Sequence, residues 1–565
     1  MSKSLSTNGS VSEPLRSSED ENEDPSESSA SEAFRKILMS VGEAGKYQWK
    51  AFFIASFCGM FFAFNSLAAA FLAATPDFHC RFQSLNNTDL GSNLSWHLDE
   101  DNFLNLPKCD YFNVDFLNIS NESSSNFEEH DDNLVKETCQ SWVYDDSVYK
   151  STIVTEWDLV CDRRWMMTSA QATYMGGVLV GAVILSELSD LYGRRTIVLI
   201  SSVGFTVCGI CISFSRNFFM FITLRFLVAC FGSGMFLPNF VLIMELVGEK
   251  ARTTMGMLYQ GFFGVGFCLI PAIAYYIRDW RNLQLAISIP STVLLLYFKI
   301  LPESPRWLLS QGREEEAVKI LKEIAKTNNQ NLPEEKELHQ LMSRIRKQTH
   351  SSKNILGKIA NFFKNQAKLL KTPNMRRRCL IIYFSWFVVS MIYYGLTFSG
   401  GNINASVYLM VFLSGVVEIP SYFLSCLTIK KFGRRINISF CFIICGIACM
   451  LILAVPKDMV WLNMTFASAG KFFNSIAFGV AYIYSAELVP TTVRNIAVGT
   501  SSMWARVGSM LAPFIVDSLG EVHYAIPSTV FGILSLMAGF LDLLLPETGK
   551  IPMPETIEEV EAMDR

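Results

Sequence analysis

The stretch SDLYGRR at residues 189–195 returns as IKKFGRR at 429–435, so that Gly193 and Gly433 stand 240 residues apart in one apolar chain. Two further echoes keep nearly the same offset. ELVGEKAR (245–252) reappears as ELVPTTVR (487–494), and LPES (301–304) as LPET (545–548). In both copies of the first echo a Glu is followed seven residues later by an Arg, Glu245 with Arg252 and Glu487 with Arg494. A chain whose second half repeats its first, with charges at matching points, reads as two parallel repeats built for alternating access across a membrane.

Composition leads to the same place. Over 565 residues, 50% are hydrophobic, 13% aromatic and only 18% charged, and the mean hydropathy is +0.27. A soluble domain with that balance would expose too much apolar surface. Apolar runs long enough to span a bilayer, about 20 residues each, fall near 50–74, 165–186, 196–215, 218–246, 254–277, 282–301, 379–398, 405–429, 436–455, 459–486, 495–517 and 524–545. The expected fold is therefore all-α and polytopic, with twelve transmembrane helices in two pseudo-symmetric six-helix bundles.

Arg194, Arg195, Lys250, Arg252, Lys430, Lys431, Arg434, Arg435 and the 302–378 loop with Arg376, Arg377 and Arg378 all fall on one side. By the positive-inside rule that side is cytosolic and holds both termini. The segment 75–162 lies opposite, with 18 Asp and Glu against four Lys and Arg. Its cysteines, Cys80, Cys109, Cys139 and Cys161, are even in number and in an oxidising compartment, which predicts two disulfides of open connectivity. Sequons at Asn86, Asn93, Asn118 and Asn121 predict glycosylation there. The expected organisation is a disordered cytosolic tail (1–45), a first bundle (46–301) with an extracellular loop (75–164), a cytosolic helical loop (302–378), a second bundle (379–546) and a C-terminal tail (547–565). The stretch EEEAVKILKEIAK (314–326) has helical spacing.

The order of a first span, a large Cys-containing loop, EWDLVCDRRW (156–165), SDLYGRR, PESPRWLLSQGR (302–313) and SAELVPTTVRN (485–495) resembles solute carrier family 22, the organic cation, organic anion and carnitine transporters of the major facilitator superfamily. The likeness runs from about 42 to 555. The family's first turn usually begins with Gly and carries Arg after the Asp, where this chain has Ser186 and Leu191; its second often keeps an acid where Lys430 stands. The resemblance implies a plasma-membrane carrier of small organic ions.

Two sets of residues are candidates for function. Asp190, near a helix end, can attract arginine from the partner half, so Asp190, Arg194, Arg195, Glu245, Arg252, Arg434, Arg435, Glu487 and Arg494 form an expected gate. The alternative is that these arginines only set topology and hold anionic lipid headgroups of the bilayer. Ionisable groups deep in spans are costly and point to function. Arg506 lies midway along the eleventh run; Glu418 and Lys471 lie deep in the eighth and tenth, and pair with each other in the alternative reading. In the resembling family, members that carry cations have Asp at the place of Arg506, whereas carriers of anions or carnitine have Arg. The stretches GVVEIPSY (415–422) and GKFFNSIAFGVAYIYSAELVP (470–490) look most like the carnitine branch, and anion carriers often have Lys at the place of Tyr422. Trp386, Tyr393, Tyr394, Tyr174, Tyr259, Gln260 and Phe478 are candidates to line a site for an ammonium group, and Trp386, Tyr393 and Tyr394 share a helix face by their spacing.

No metal-ligand spacing, nucleophile elbow or phosphate loop is present, so no enzyme, metal site or nucleic-acid partner is expected. A coupling ion, Na+ or H+, is left open. The expected substrate is a small organic zwitterion or anion, carnitine-like by resemblance. The rivals are an organic cation carrier of the same family, a sugar facilitator and a non-transporting receptor or scaffold.

Overall fold

The computed structural model describes residues 26–80, 109–112, 136–346, 366, 369–399, 406–456, 458–490, 493–549 and 557–563. The sequons at Asn86, Asn93, Asn118 and Asn121 lie outside the described residues.

The spans run in sequence order. The first half contains Lys46–Leu67 continued by Ala69–Leu72, Arg164–Tyr192, Arg194–Ile212, Phe218–Leu246, Glu249–Tyr276, and a sixth span broken into Trp280–Ser288, Ile289–Leu296 and Tyr297–Ile300. The second contains Pro373–Phe398, Val407–Phe432, Arg434–Ala454, Val460–Leu488, Arg494–Val522 and Ile526–Asp542. Nine of the described helices are individually long and apolar enough to cross a membrane; the tenth, eleventh and twelfth complete the repeat. Large apolar side chains such as Phe214, Phe219, Phe423, Leu427 and Trp461 face outward, as a lipid-facing surface requires.

The sixth span was expected to be continuous. Pro290 interrupts it, because a proline has no amide to donate and clashes with the preceding turn, and the backbone tightens into a 3₁₀ segment over Ile289–Leu296. Prolines also mark the repeat. Pro271 in the fifth span and Pro513 in the eleventh are 242 residues apart, the same offset as Glu245 and Glu487.

The two Gly-Arg-Arg turns join the second span to the third and the eighth to the ninth. Gly193 sits at φ 103° and Gly433 at φ 83°, a left-handed backbone that disfavours a side chain. A Cβ on Gly193 would stand 2.5 Å from the Glu303 carboxylate, and one on Gly433 2.8 Å from that of Glu547. Those carboxylates occupy the helix starts. Glu303 accepts from the Arg195 amide at 3.1 Å, and Glu547 accepts from the amides of Arg434 and Arg435 at 2.9 and 3.0 Å. The repeated LPES and LPET thus cap the third and ninth spans, where negative charge is favoured. Gly433→Ala should cost about 1–3 kcal/mol through backbone strain alone, read as a lower melting temperature of purified protein. An unchanged melt would show that the turn tolerates a side chain.

The N-terminal segment departs from the expected disorder. Ser26–Val41 is a helix, with Ala33, Phe34, Ile37, Leu38 and Val41 buried along one stripe against the helix Glu335–Arg346. Those five apolar residues supply the burial that the acidic, Ser-rich composition of the segment as a whole obscured. Asn328, at the end of helix Glu314–Asn328, secures the junction: it donates to the Val41 carbonyl and Gln48 and accepts from the Tyr47 amide. At the other end of the chain, Glu561 in the helix Ile557–Met563 accepts from the amides of Asn374 and Met375 at the start of the seventh span.

On the opposite face, short strands Phe78–Cys80 and Trp142–Tyr144 pair antiparallel, as do Asp110–Phe112 and Lys136–Thr138. The four cysteines join as Cys80 with Cys139 and Cys109 with Cys161.

Candidate functional site

Each arginine cluster closes within its own half. Arg194 lies 2.8 Å from Asp190 and 3.2 Å from Glu245, while Arg434 lies 3.0 Å from Glu487. Arg195 donates to the Phe298 carbonyl and Arg435 to that of Leu545. Asp190 was expected to attract an arginine of the partner half; in this conformation its partner is Arg194, four residues on across the Gly193 turn. The sequence spacing of Glu245 and Arg252 does not become a bond: Arg252 is exposed, and Glu245 meets Arg194 through Oε1. Glu487 is shared by Arg434 and Thr548, and Arg494 stands in its field. Glu303, in the loop after the sixth span, has its carboxyl pushed up by burial, opposed by the amides of Ser304 and Arg195 and the charge of Arg194.

The two halves meet at the disulfide face. Thr168 of the second span donates to Asp517 of the eleventh at 2.5 Å, and Arg164 pairs with Glu521. Tyr408 of the eighth span packs against Phe71, Tyr149 and Tyr275 of the first half, with ring centroids 5.4 to 6.0 Å apart. On the Gly-Arg-Arg face no ion pair among the described residues crosses between halves.

Between these faces lies a buried polar and aromatic centre. Glu418, fully buried, accepts from the hydroxyl of Tyr393 at 2.8 and 2.9 Å and from that of Tyr422 at 2.8 Å. Lys471 donates to the Tyr393 carbonyl at 2.8 Å and to Thr397 at 2.9 Å, and its ammonium stands 3.0 Å from the Tyr393 ring centroid. Glu418 and Lys471 therefore make no direct ion pair; Tyr393 stands between them, giving its hydroxyl to one and its ring face to the other. Such an arrangement balances two buried charges in a medium where neither is tolerated alone.

Arg506 differs. Its guanidinium makes no hydrogen bond or ion pair among the described residues, and its buried Nε has no partner. Its charge is felt by Tyr174, Tyr394 and Tyr482 of the second, seventh and tenth spans, so both halves contribute to its surroundings. The internal pairing of Arg506 with Glu418 is not formed, since Glu418 is held by the two tyrosines.

The aromatic candidates divide. Trp386, Phe478 and Tyr393 form one continuous cluster, with centroids 5.9 and 6.0 Å apart, and Tyr394 lies 5.1 Å from Tyr393. The Trp386 indole donates to Ser485 at 2.8 Å. Tyr174 is buried beneath Arg225, whose guanidinium carbon is 4.6 Å from the ring centroid. Tyr259 lies in the packing of the first half, donating to the Phe236 carbonyl, and Gln260 beside it is half-buried. Sequence reasoning passed over Tyr482, which meets Trp386 at 4.4 Å, Phe267, whose ring is 5.3 Å from the Lys471 ammonium, and the role of Tyr422. Tyr482 is one helical turn from Phe478, a spacing that would have found it.

Solved structures with this chain path are membrane carriers. The proton:xylose symporter XylE, bound to 6-bromo-6-deoxy-D-glucose, matches with a TM-score of 0.57 over 92% of this chain and 99% of that one, at 16% identity, and an inward open conformation of the Escherichia coli protein matches with 0.57 over 92% and 100%. The fold is that of the major facilitator superfamily. At the level of sequence, the profile of the "Sugar (and other) transporter" family matches residues 51–561. An organic cation transporter protein of Drosophila melanogaster is 38% identical over 93% of this chain and 94% of its own length. Solute carrier family 22 member 3 of Mus musculus is 35% identical over 94% and 96%, and member 16 of Xenopus laevis 36% identical over 93% and 93%. The chain belongs to solute carrier family 22.

Proposed function

We propose that the carrier moves small organic zwitterions or anions, carnitine-like in chemistry, across the plasma membrane by alternating access, with residues 46–301 and 379–546 as the rocking halves. Arg506 carries the reading. A half-buried cation whose Nε is buried without a partner, and which pairs with no anion among the described residues, is the group a carboxylate substrate would complete, through two parallel hydrogen bonds that the guanidinium fork is shaped to give. The aromatic faces of Trp386, Phe478, Tyr394 and Tyr482 offer an ammonium group roughly 0.5–2 kcal/mol each.

The Gly-Arg-Arg face is cytosolic in this proposal and the disulfide face extracellular. The contacts of Tyr408, Arg164 and Thr168 then close the outer mouth, and the arginine clusters act as the inner gate of each half. Enzymatic deglycosylation should shift the mobility of surface-expressed protein, and joint replacement of Asn86, Asn93, Asn118 and Asn121 by Gln should abolish the shift. Wild-type protein of unchanged mobility would contradict this orientation.

A second reading, transport of simple organic cations, is favoured by Glu418, a buried carboxylate set among tyrosines, and by the Drosophila relative named for such transport. Uptake of labelled L-carnitine, tetraethylammonium, p-aminohippurate and glucose into expressing cells, with and without a sodium gradient, separates the readings. L-carnitine uptake above that of vector-only cells supports the proposal; uptake of tetraethylammonium alone favours the second reading, glucose alone a sugar facilitator, and none of the four a receptor or scaffold.

A further inference from the structure

Asp542, the last residue of the twelfth span, is 1% exposed. Its Oδ1 is 2.8 Å from the hydroxyl of Ser385 in the seventh span, while its Oδ2 is buried without a hydrogen-bond partner. Among the described residues it forms no ion pair. The charged and titratable groups around it are engaged elsewhere. From the seventh span, Arg377 and Arg378 donate to the carbonyls of Leu544 and Leu488. From the ninth span, Arg435 donates to that of Leu545. From the tenth, Tyr484 donates to that of Pro546, and Glu487 is held by Arg434 and Thr548. Glu547, beyond the span, caps the ninth helix.

The contacts of Ser385 bear on the protonation state. Its Oγ is 2.8 Å from Asp542 Oδ1 and 3.0 Å from the Ile381 carbonyl, yet a hydroxyl has one proton to give. With the carboxylate ionised, the one hydroxyl proton has to serve two acceptors, and the buried anion is left with a share of a single donor. With a proton on Oδ1, Asp542 donates to Ser385, Ser385 donates to Ile381, and both contacts are hydrogen bonds. We infer that Asp542 is a proton-binding site, occupied in this conformation, and that its proton holds the seventh and twelfth spans together. Losing that proton to water at the Gly-Arg-Arg face leaves a buried anion that must separate the two spans or admit water. Ser385 precedes Trp386, so the movement reaches the aromatic centre directly and makes turnover depend on pH. Only this link to turnover rests on the carrier reading above.

Infrared spectroscopy of the full-length protein in nanodiscs, stepped in pH with and without sodium, tests the site without any substrate. The expected result is a carbonyl band of a buried protonated carboxyl that is indifferent to sodium, absent in Asp542→Asn and shifted in frequency in Ser385→Ala. A spectrum identical in wild type and Asp542→Asn, a band unmoved in Ser385→Ala, or a band that appears only when sodium is withdrawn would overturn the proposal. Should Asp542→Asn fail to fold, the Ser385→Ala shift decides alone. In proteoliposomes, wild-type uptake of labelled L-carnitine should change several-fold as the pH of both compartments is stepped together, and that of Asp542→Asn should stay flat; an equal pH response in both would overturn the link to turnover. A wild type that carries no L-carnitine at any pH sinks the zwitterion reading, and the infrared result still decides the proton site.

Discussion

Arg506→Lys should lower L-carnitine transport by about one to two orders of magnitude at unchanged surface abundance. A point charge cannot reproduce the two-pronged contact, and losing one charged hydrogen bond costs roughly 1.5–3 kcal/mol. Because Arg506 has no partner among the described residues, the cost of the substitution falls on substrate binding rather than folding. Arg506→Asp should go further and turn preference towards cations such as tetraethylammonium. Concentration-dependent uptake beside surface biotinylation reads both effects, and a drop in abundance that matches the drop in transport would assign Arg506 a structural role.

Lys471→Met should behave in the opposite way. Lys471 and Glu418 are both buried to within 1%, and removing the cation leaves Glu418 with tyrosine hydroxyls but no positive charge near it. Leaving a buried charge without its compensating partner costs about 3–5 kcal/mol, enough to deplete surface protein. Adding Glu418→Gln should restore part of the loss, since the amide keeps hydrogen-bonding capacity without the charge, and the double variant should melt above the single one. A double variant no more stable than Lys471→Met would show that the two charges do not compensate each other.

The contrast between these residues also shows what the sequence disclosed. Repeats and apolar runs located the twelve spans, because span length is dictated by bilayer thickness. The structure set Glu303 and Glu547, visible only as parts of a repeated LPES and LPET, at the starts of the third and ninth spans, a contact made across about 110 residues that no local spacing announces. Deep charges stood out at Glu418, Lys471 and Arg506, but their partners did not: that Tyr393 separates Glu418 from Lys471 depends on how three helices turn their faces. Asp542 escaped notice because a carboxylate at a span end, three residues before LPET, reads as a surface residue until packing buries it. Pro290 was present in the sequence as a breaker, yet the length of the apolar run masked it.

The most direct test of the account compares transport of L-carnitine with that of its methyl ester, in wild type and in Arg506→Ala. The ester keeps the quaternary ammonium and removes the negative charge. If Arg506 binds the carboxylate, wild type should prefer the acid strongly and Arg506→Ala should lose that preference. Equal transport of acid and ester by wild type, or a preference for the acid that survives in Arg506→Ala, would contradict it.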